Sequence, residues 1–346
     1  MRYADLSQAL ARRGHSVDIF CILSEVGSAR EEVVGNIRIH RYPAALEYRT
    51  PAFKAVRRRP LPLLRYAHWC RSIAADKFDF ILFNQWPLAH VVLAPRSIRA
   101  KAAIDWCEFR TGSLFLLLQA YLPRLVPRNV ANSLPLKTRL EGISGRPFDF
   151  LPSGILPDIY RSKPRSERQG VLYLGRVTEH KNLPLLLSAF EAVAAKGYGG
   201  HLRIAGDGPA LPAIREWTKS SKIADRVDIL GAVDEPAKVD LLANSELLLL
   251  TSRREGFPRV VAEAMASGLP VVTADYPENG AKEVVLQYRI GQVAHPTAEA
   301  LSDAMLRAME GWNTYSEAGA LGSKSLDWEV LVNEFLQIAN SVQRPA

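Results

Sequence analysis

Two glutamates eight residues apart, Glu255 and Glu263, frame the segment Glu255-Gly256-Phe257-Pro258-Arg259-Val260-Val261-Ala262-Glu263. Glu255 falls in the loop after an apolar run at 247–250, and Glu263 on a helix expected over 258–267. Proline suits the first turn of a helix, where its missing N–H is not needed. Free N–H groups around Gly256, Phe257 and Pro258 would make an anion site. Glu263, about a turn and a half further on, reaches toward the hydroxyls of a polyol. An exposed capping Glu255 beside an ordinary helix-face Glu263 accounts for the spacing equally well.

A second constellation is Gly175-Arg176-Val177-Thr178-Glu179-His180-Lys181-Asn182, directly after the apolar run Val171-Leu172-Tyr173-Leu174. Two fixed cations, Arg176 and Lys181, in one strand-to-helix loop are suited to neutralising a leaving pyrophosphate. A solvated loop with incidental charge is the alternative. Ala205-Gly206-Asp207-Gly208-Pro209 contains a Gly-x-Gly, but Pro209 and Leu211 spoil a dinucleotide fingerprint, and a tight turn explains the glycines as well.

Elements that position these loops are legible as alternation. In residues 171–272 short apolar runs (171–174, 201–205, 227–230, 247–250, 270–272) alternate with helical stretches starting near 184, 209, 237 and 258. That pattern predicts a parallel sheet wound on both faces, with ligands at the carboxyl ends of its strands. Residues 1–150 alternate less cleanly: a helix over 5–13, strands over 17–23, 37–41, 80–83 and 102–106, and a stretch over 51–75 that looks helical but is broken by Pro60 and Pro62. Glycines and prolines concentrated over 141–170 place a domain junction there. The expected organisation is two Rossmann-like, doubly wound α/β domains facing a cleft, over 1–150 and 151–326, with a terminal helix over 327–343 packing back on the first.

The 346 residues are 48% hydrophobic and 23% charged, the composition of a folded chain and not of a disordered one. No apolar run reaches the ~18 residues of a membrane span. Three cysteines (Cys21, Cys70, Cys107) without CxxC spacing argue against a disulfide framework or zinc cluster. The expectation is a cytoplasmic protein. Charge is divided unevenly: 23 Lys and Arg against 12 Asp and Glu in residues 1–150, and 21 against 24 in residues 151–346. The basic half is expected to meet something anionic. Residues 51–71 interleave Lys54, Arg57, Arg58, Arg59, Arg65 and Arg71 with leucine and aromatic residues, the ingredients of a peripheral contact with an anionic membrane. A solvated helix face packed on a sheet is the competing reading. A nucleic-acid partner is not expected, since no binding module accompanies the patch.

Together these segments resemble the retaining, nucleotide-sugar-dependent glycosyltransferases called group 1, or family four, with the GT-B fold. The resemblance runs from about Asn132 to Val332. Asn132-Ser133, with Leu136-Lys137 and Leu140, looks like the family's serine-led helix, and Leu151-Pro152-Ser153-Gly154-Ile155 resembles its "IPNGV" linker, with Ser153 where Asn is usual. Leu174-Gly175-Arg176 through Lys181-Asn182 is similar to its "GRL…KG/KN" loop, and Ile204 to Pro209 to its "GxGP" turn. Glu255 to Glu263, followed by Ala264 to Val272, matches the signature of two glutamates with seven residues between.

The resemblance implies roles. Arg176 and Lys181, with Gly175 at the loop's start, would hold the diphosphate of a UDP- or GDP-sugar. Glu255 would meet the donor sugar and Glu263 the ribose, while backbone at Gly256, Phe257 and Pro258 cradles sugar and phosphate and Val233 packs the nucleobase. It implies front-face transfer to a glycan or lipid-linked acceptor in cell-surface polysaccharide or glycolipid synthesis. No protein nucleophile, bound metal or other cofactor is required. Two departures stand out. Family members with a similar Asp-Trp often carry His-Glu next, where this chain has Asp105-Trp106-Cys107-Glu108, which puts Cys107 and Glu108 on the acceptor side without an imidazole; a small buried residue is an equally good reading of Cys107. Family members also begin with an apolar strand and a Gly-Gly loop, whereas Arg2-Tyr3-Ala4-Asp5-Leu6 already resembles the first helix. A late-called start codon is the expected reason, and a true truncation, which would leave two neighbouring strands unpaired, is the alternative. A catalytically lapsed homologue that binds nucleotide sugar or membrane is the alternative function.

Overall fold

The computed structural model describes residues 2–22, 29–43, 49–52, 55–58 and 60–343. The chain separates into two units: residues 1–152 with 328–346, and residues 153–327.

The first unit opens with α1 (Arg2–Arg12), β1 (Val17–Ile22), β2 (Glu31–Val34) and β3 (Ile37–Tyr42), then β4 (Arg49–Ala52), β5 (Ala55–Arg58) and α2 (Pro60–Trp69). It continues through β6 (Ile81–Asn84), α3 (Ala89–Leu93), α4 (Arg96–Arg99), β7 (Ala102–Trp106), α5 (Ser113–Tyr121), β8 (Arg128–Ala131), α6 (Leu134–Ser144) and β9 (Asp149–Phe150). β1 pairs parallel with β3, and β2 antiparallel with β3. A separate four-stranded parallel sheet has the order β6-β7-β8-β9. β7 is buried along its whole length, with Ile104 and Trp106 fully enclosed.

Residues 51–75 differ from the sequence expectation. They are not a broken helix: β4 and β5 form an antiparallel hairpin, and Pro60 opens α2 instead of interrupting one. At a helix start the missing proline N–H has no intrahelical partner to lose. Arg57 and Arg58 therefore lie in a strand, opposite Thr50 and Arg49, and Arg59 lies outside the described residues.

The second unit contains β10 (Val171–Leu174), α7 (Leu183–Ala195), β11 (Leu202–Ala205), α8 (Leu211–Lys219), β12 (Val227–Gly231), α9 (Glu235–Asn244) and β13 (Leu247–Leu250). Beyond them come β14 (Arg254–Glu255), α10 (Arg259–Ala266), β15 (Val271–Ala274), β16 (Glu278–Asn279), α11 (Gly280–Tyr288), β17 (Gly291–Ala294), α12 (Ala298–Glu310) and α13 (Trp312–Ser323). Six parallel strands run in the order β12-β11-β10-β13-β15-β17. β10, β13 and β15 are buried throughout, which is why each reads as a continuous apolar run. α7 lays Leu183, Leu186, Leu187, Phe190 and Val193 on the sheet, spaced as one face of a helix. Each such side chain contributes about 1.5–3 kcal/mol by leaving water. After Asp327 the chain returns to the first unit as α14 (Trp328–Gln343), where Arg12 pairs with Glu329 at 3.1 Å.

Candidate functional site

The strand order of the second unit reverses its winding between β10 and β13. In open sheets of this kind the loops that leave the carboxyl ends of those two strands diverge, and ligands bind between them. The loop after β10 is Gly175–Asn182, and the loop after β13 is Thr251–Pro258. They carry Arg176, Lys181 and Glu255.

Several bonds stitch the two loops together. Thr251, fully buried, donates its hydroxyl to the carbonyl oxygens of both Lys181 and Asn182 at 3.0 Å. The Arg253 N–H donates to His180 O at 2.8 Å. Asn182 takes a left-handed conformation (φ 53°), turning the chain into α7, and its side-chain amide donates to Tyr276 Oη at 3.2 Å. The result sets the Lys181 ammonium against Glu255 Oε1 in an ion pair, with the Ser252 hydroxyl donating to the same oxygen at 2.7 Å. Both charged groups remain reachable, at 15% and 11% exposed.

Each loop is braced from its outer side. β14 pairs parallel with β16, so Glu255 lies opposite Asn279. Asn279 is buried, donates to Thr273 Oγ1 and Ala274 O, and caps α11 by accepting from Ala281 N at 3.1 Å. On the other side Val177 N donates to Asp207 O at 2.9 Å, and Ala210 N to Val177 O at 3.1 Å. A Cβ on Gly206 would stand 1.8 Å from Gly175 O, so the Gly-x-Gly turn is what lets the two backbones approach. That turn holds the Arg176 loop, and the Arg176 side chain is exposed.

The field of the site is mixed. His180 is held below its usual range by burial and then by the Lys181 charge, with Glu255 opposing and Arg254 and Arg176 reinforcing. Four charges thus act on one ring. Tyr173 sits beneath, donating to Arg176 O at 2.8 Å, its hydroxyl pushed up by burial and then by Glu255.

Glu263 has a separate setting. It is 5% exposed and accepts from Lys238 Nζ at 3.0 Å, with Arg259 Nη2 at 3.8 Å. Lys238 also pairs with Glu235 at 2.7 Å. The Tyr160 phenol is pushed up first by burial and then by Glu263. A carboxylate enclosed this way is a fixed acceptor and not a solvated helix-face charge. Pro258 stands at the start of α10, directly before its first helical residue; it is buried, while Gly256 and Phe257 are half-buried. Val233 is half-buried against the core, next to Asp234, which caps α9 by accepting from Ala237 N.

Cys107 and Glu108 lie in the first unit, at the end of β7. Asp105 accepts from Arg2 Nε at 2.9 Å and from Tyr3 Oη at 2.8 Å, and Arg2 also donates to Leu151 O and Pro152 O. Burial, followed by the Asp105 charge, pushes the Cys107 thiol up to about 12. At neutral pH it is a protonated thiol, neither base nor nucleophile. Gln85, buried, accepts from the N–H groups of Cys107 and Glu108 and donates to Glu108 O. The Glu108 carboxylate pairs with Arg110 at 2.8 Å.

Thr251, Ser252, Tyr276 and Asn279 are site-building residues that the sequence reading did not single out. The only signal was a Thr-Ser pair between an apolar strand and Glu255. Among the described residues no group of three or more His, Cys, Asp or Glu is placed to hold a metal, and no helix is long and apolar enough to cross a membrane.

Residues 158–324 match the family described as glycosyl transferases group 1. The chain is 30% identical over 146 residues to alpha-D-kanosaminyltransferase of Streptomyces kanamyceticus, covering 42% of this chain and 37% of that protein. It is 26% identical over 240 residues to phosphatidyl-myo-inositol mannosyltransferase of Mycobacterium leprae, covering 65% and 62%. The chain thus spans less than two thirds of the length of these relatives. Its fold is similar to sucrose-phosphate synthase of Thermosynechococcus elongatus (TM-score 0.80, 19% identity, 97% of this chain and 91% of that one). It is also similar to Anabaena HepE in complex with UDP and glucose (TM-score 0.71, 16% identity, 94% and 99%). The α/β fold is of the GT-B type.

Proposed function

We propose that this chain, whose residues 158–324 match the group 1 glycosyltransferases, is such an enzyme and moves a sugar from a nucleoside-diphosphate sugar, UDP- or GDP-linked, to a glycan or lipid-linked acceptor, with retention at the anomeric carbon. The observation that supports this most is the meeting of Lys181 and Glu255 at the switch point between β10 and β13.

In this reading the ammonium of Lys181 and the exposed guanidinium of Arg176 offset the negative charge that grows on the diphosphate as the glycosidic bond breaks. Fixed cations in a partly water-excluded loop do this with little reorganisation. Glu255 accepts from donor-sugar hydroxyls, and its bond to Ser252 keeps the carboxylate aimed when Lys181 turns to phosphate. Glu263 fixes the ribose, with Lys238 setting its orientation. Gly175, Gly256, Phe257 and Pro258 supply close backbone, and Val233 an apolar surface for the base. The leaving phosphate takes the acceptor's proton, so neither a protein nucleophile nor a metal or cofactor takes part. Cys107, protonated at neutral pH, supplies no base. The basic first unit favours an anionic acceptor, and a lipid-linked one would place the protein peripherally on the cytoplasmic face of a membrane.

A thermal-shift panel of UDP- and GDP-sugars, followed by product analysis with the best donor, tests this. A donor that stabilises the wild type and fails to stabilise Lys181→Ala supports the reading. Equal stabilisation of both, or of neither by any nucleotide sugar, overturns it.

A further inference from the structure

The transfer described above leaves an ionisable ring in its own loop without a role. His180 stands between Arg176 and Lys181 in the segment after β10, inside the short turn Glu179–Lys181. It is half-buried. Its backbone oxygen accepts from Arg253 N at 2.8 Å, and its ring Nδ1 lies 3.2 Å from Thr178 Oγ1. Backbone and ring are thus both anchored where the two loops meet, next in sequence to the lysine that pairs with Glu255.

Charge around this ring is unbalanced. Lys181 and Arg176 act on it from its own loop, and Arg254 and Glu255 from the loop after β13. Three cations therefore face one carboxylate, and that carboxylate is engaged with Lys181. Among the described residues neither Arg176, which is exposed, nor Arg254, which is half-buried, pairs with an acid. Uncompensated positive charge in a partly desolvated loop favours an anion. It also keeps the neighbouring imidazole neutral: burial first, then Lys181, holds His180 below its usual range, with Glu255 alone opposing. A nucleoside-diphosphate sugar brings a dianion. Held by Arg176 and Lys181, it cancels the field that disfavours a charge on His180. Lys181 also turns from Glu255, which frees that carboxylate to act on the ring. Both changes favour the imidazolium. Thr178 Oγ1 then accepts from Nδ1–H, and Nε2–H is the second donor of the cation.

We propose that His180 is a proton-coupled member of the diphosphate site, neutral in the free protein and protonated when the loops after β10 and β13 hold a nucleoside diphosphate. The proton comes from solvent on binding and returns to it on release. This rests on the reading of those loops as the donor site, and adds to it a group that makes donor affinity depend on pH. The sign follows from linkage. The bound state holds the extra proton, so affinity rises as pH falls through the bound-state value and levels off below the free-state one. Between the two, the dissociation constant falls by up to about tenfold per pH unit.

Calorimetric titration of the full chain with UDP-glucose and with GDP-mannose tests this. Neither ligand has a phosphate oxygen that titrates near neutral pH. Runs at pH 6.0, 7.0 and 8.0, each in two buffers of different ionisation enthalpy, count the protons taken up. The expected result is an uptake of about half a proton or more at one of these pH values, with tighter binding at pH 6.0 than at pH 8.0. His180→Gln is expected to bind with no uptake and with an affinity that is flat in pH. Should His180→Gln fail to fold, the imidazole Cε1–H resonances of the wild type decide: one of the seven histidines titrates at higher pH with the nucleotide sugar bound, and no such shift overturns the proposal. Binding without uptake, or uptake that survives in His180→Gln, overturns it and leaves the donor site standing. Binding of neither nucleotide sugar overturns both.

Discussion

Lys181 and Glu255, 74 positions apart in sequence, form an ion pair between the loops that leave two adjacent strands, β10 and β13. The pair is neither deeply buried nor free in solvent, so it organises the site more than it stabilises the fold. Lys181→Ala removes the cation, while Ser252 still holds Glu255. The expected outcome is a fall of about 10²-fold in transfer rate with a melting temperature within a few degrees of wild type. An unchanged rate with a saturating donor would remove Lys181 from the mechanism.

Thr251 has no path to substrate in this arrangement; it is a positioning residue. Its hydroxyl serves the carbonyls of Lys181 and Asn182 from a fully buried site. Thr251→Val keeps the shape and leaves both carbonyls short of a donor, a cost of about 1–3 kcal/mol. The Lys181 turn loosens, so kcat falls more than donor KM rises, whereas Thr251→Ser restores kcat. Loss of stability without any kcat change, or no rescue by serine, would make Thr251 merely structural.

How much of this was legible in the sequence follows from burial. β10, β13 and β15 are enclosed on both faces and so read as uninterrupted apolar runs. β17 is a half-buried edge, Gly291-Gln292-Val293-Ala294, and carries no such run. The hairpin of β4 and β5, with Pro51 inside it and arginines at Arg49, Arg57 and Arg58, has no strand alternation and few large apolar residues, and helical composition on its C-terminal side drew it into the wrong period. Charged site residues were visible because cations and acids in strand-to-helix loops have a chemical meaning by themselves. Apart from the Asn279 cap on Ala281 N, the side-chain bonds of Thr251, Tyr276 and Asn279 reach across 5 to 94 positions, and such bonds leave no spacing to read.

Gly206 connects the two levels. A side chain there meets Gly175 O at 1.8 Å, a distance at which backbone must move. Gly206→Ala is expected to destabilise the protein by more than about 1 kcal/mol, from the close contact and from a φ of 146°. Because the displaced partner is the Arg176 loop, donor KM rises in the same variant. Wild-type KM in a destabilised Gly206→Ala would show that the turn supports the fold alone.

His90 gives the fold a pH dependence of definite sign. It is 4% exposed, with the Phe83 ring edge-on to it at 5.0 Å and the Tyr66 ring at 6.4 Å. Burial lowers it to about 4, against a weaker upward pull from the carbonyls of Pro87 and Asn84. In the unfolded chain its pKa returns to about 6.5, so between those values the unfolded state binds the extra proton and gains on the native state. Stability is therefore full above pH 6.5 and is lost as pH falls toward 4, by up to about 3 kcal/mol at 1.4 kcal/mol per unit. His180, also held low by burial and then by Lys181, adds in the same direction. Urea unfolding at pH 7.5, 6.5, 5.5 and 4.5 measures the slope. His90→Phe, an aromatic replacement in an aromatic setting, should remove the larger part of it and leave the remainder to His180. The same slope in His90→Phe as in wild type would mean that the ring is already protonated in the native state or hydrated.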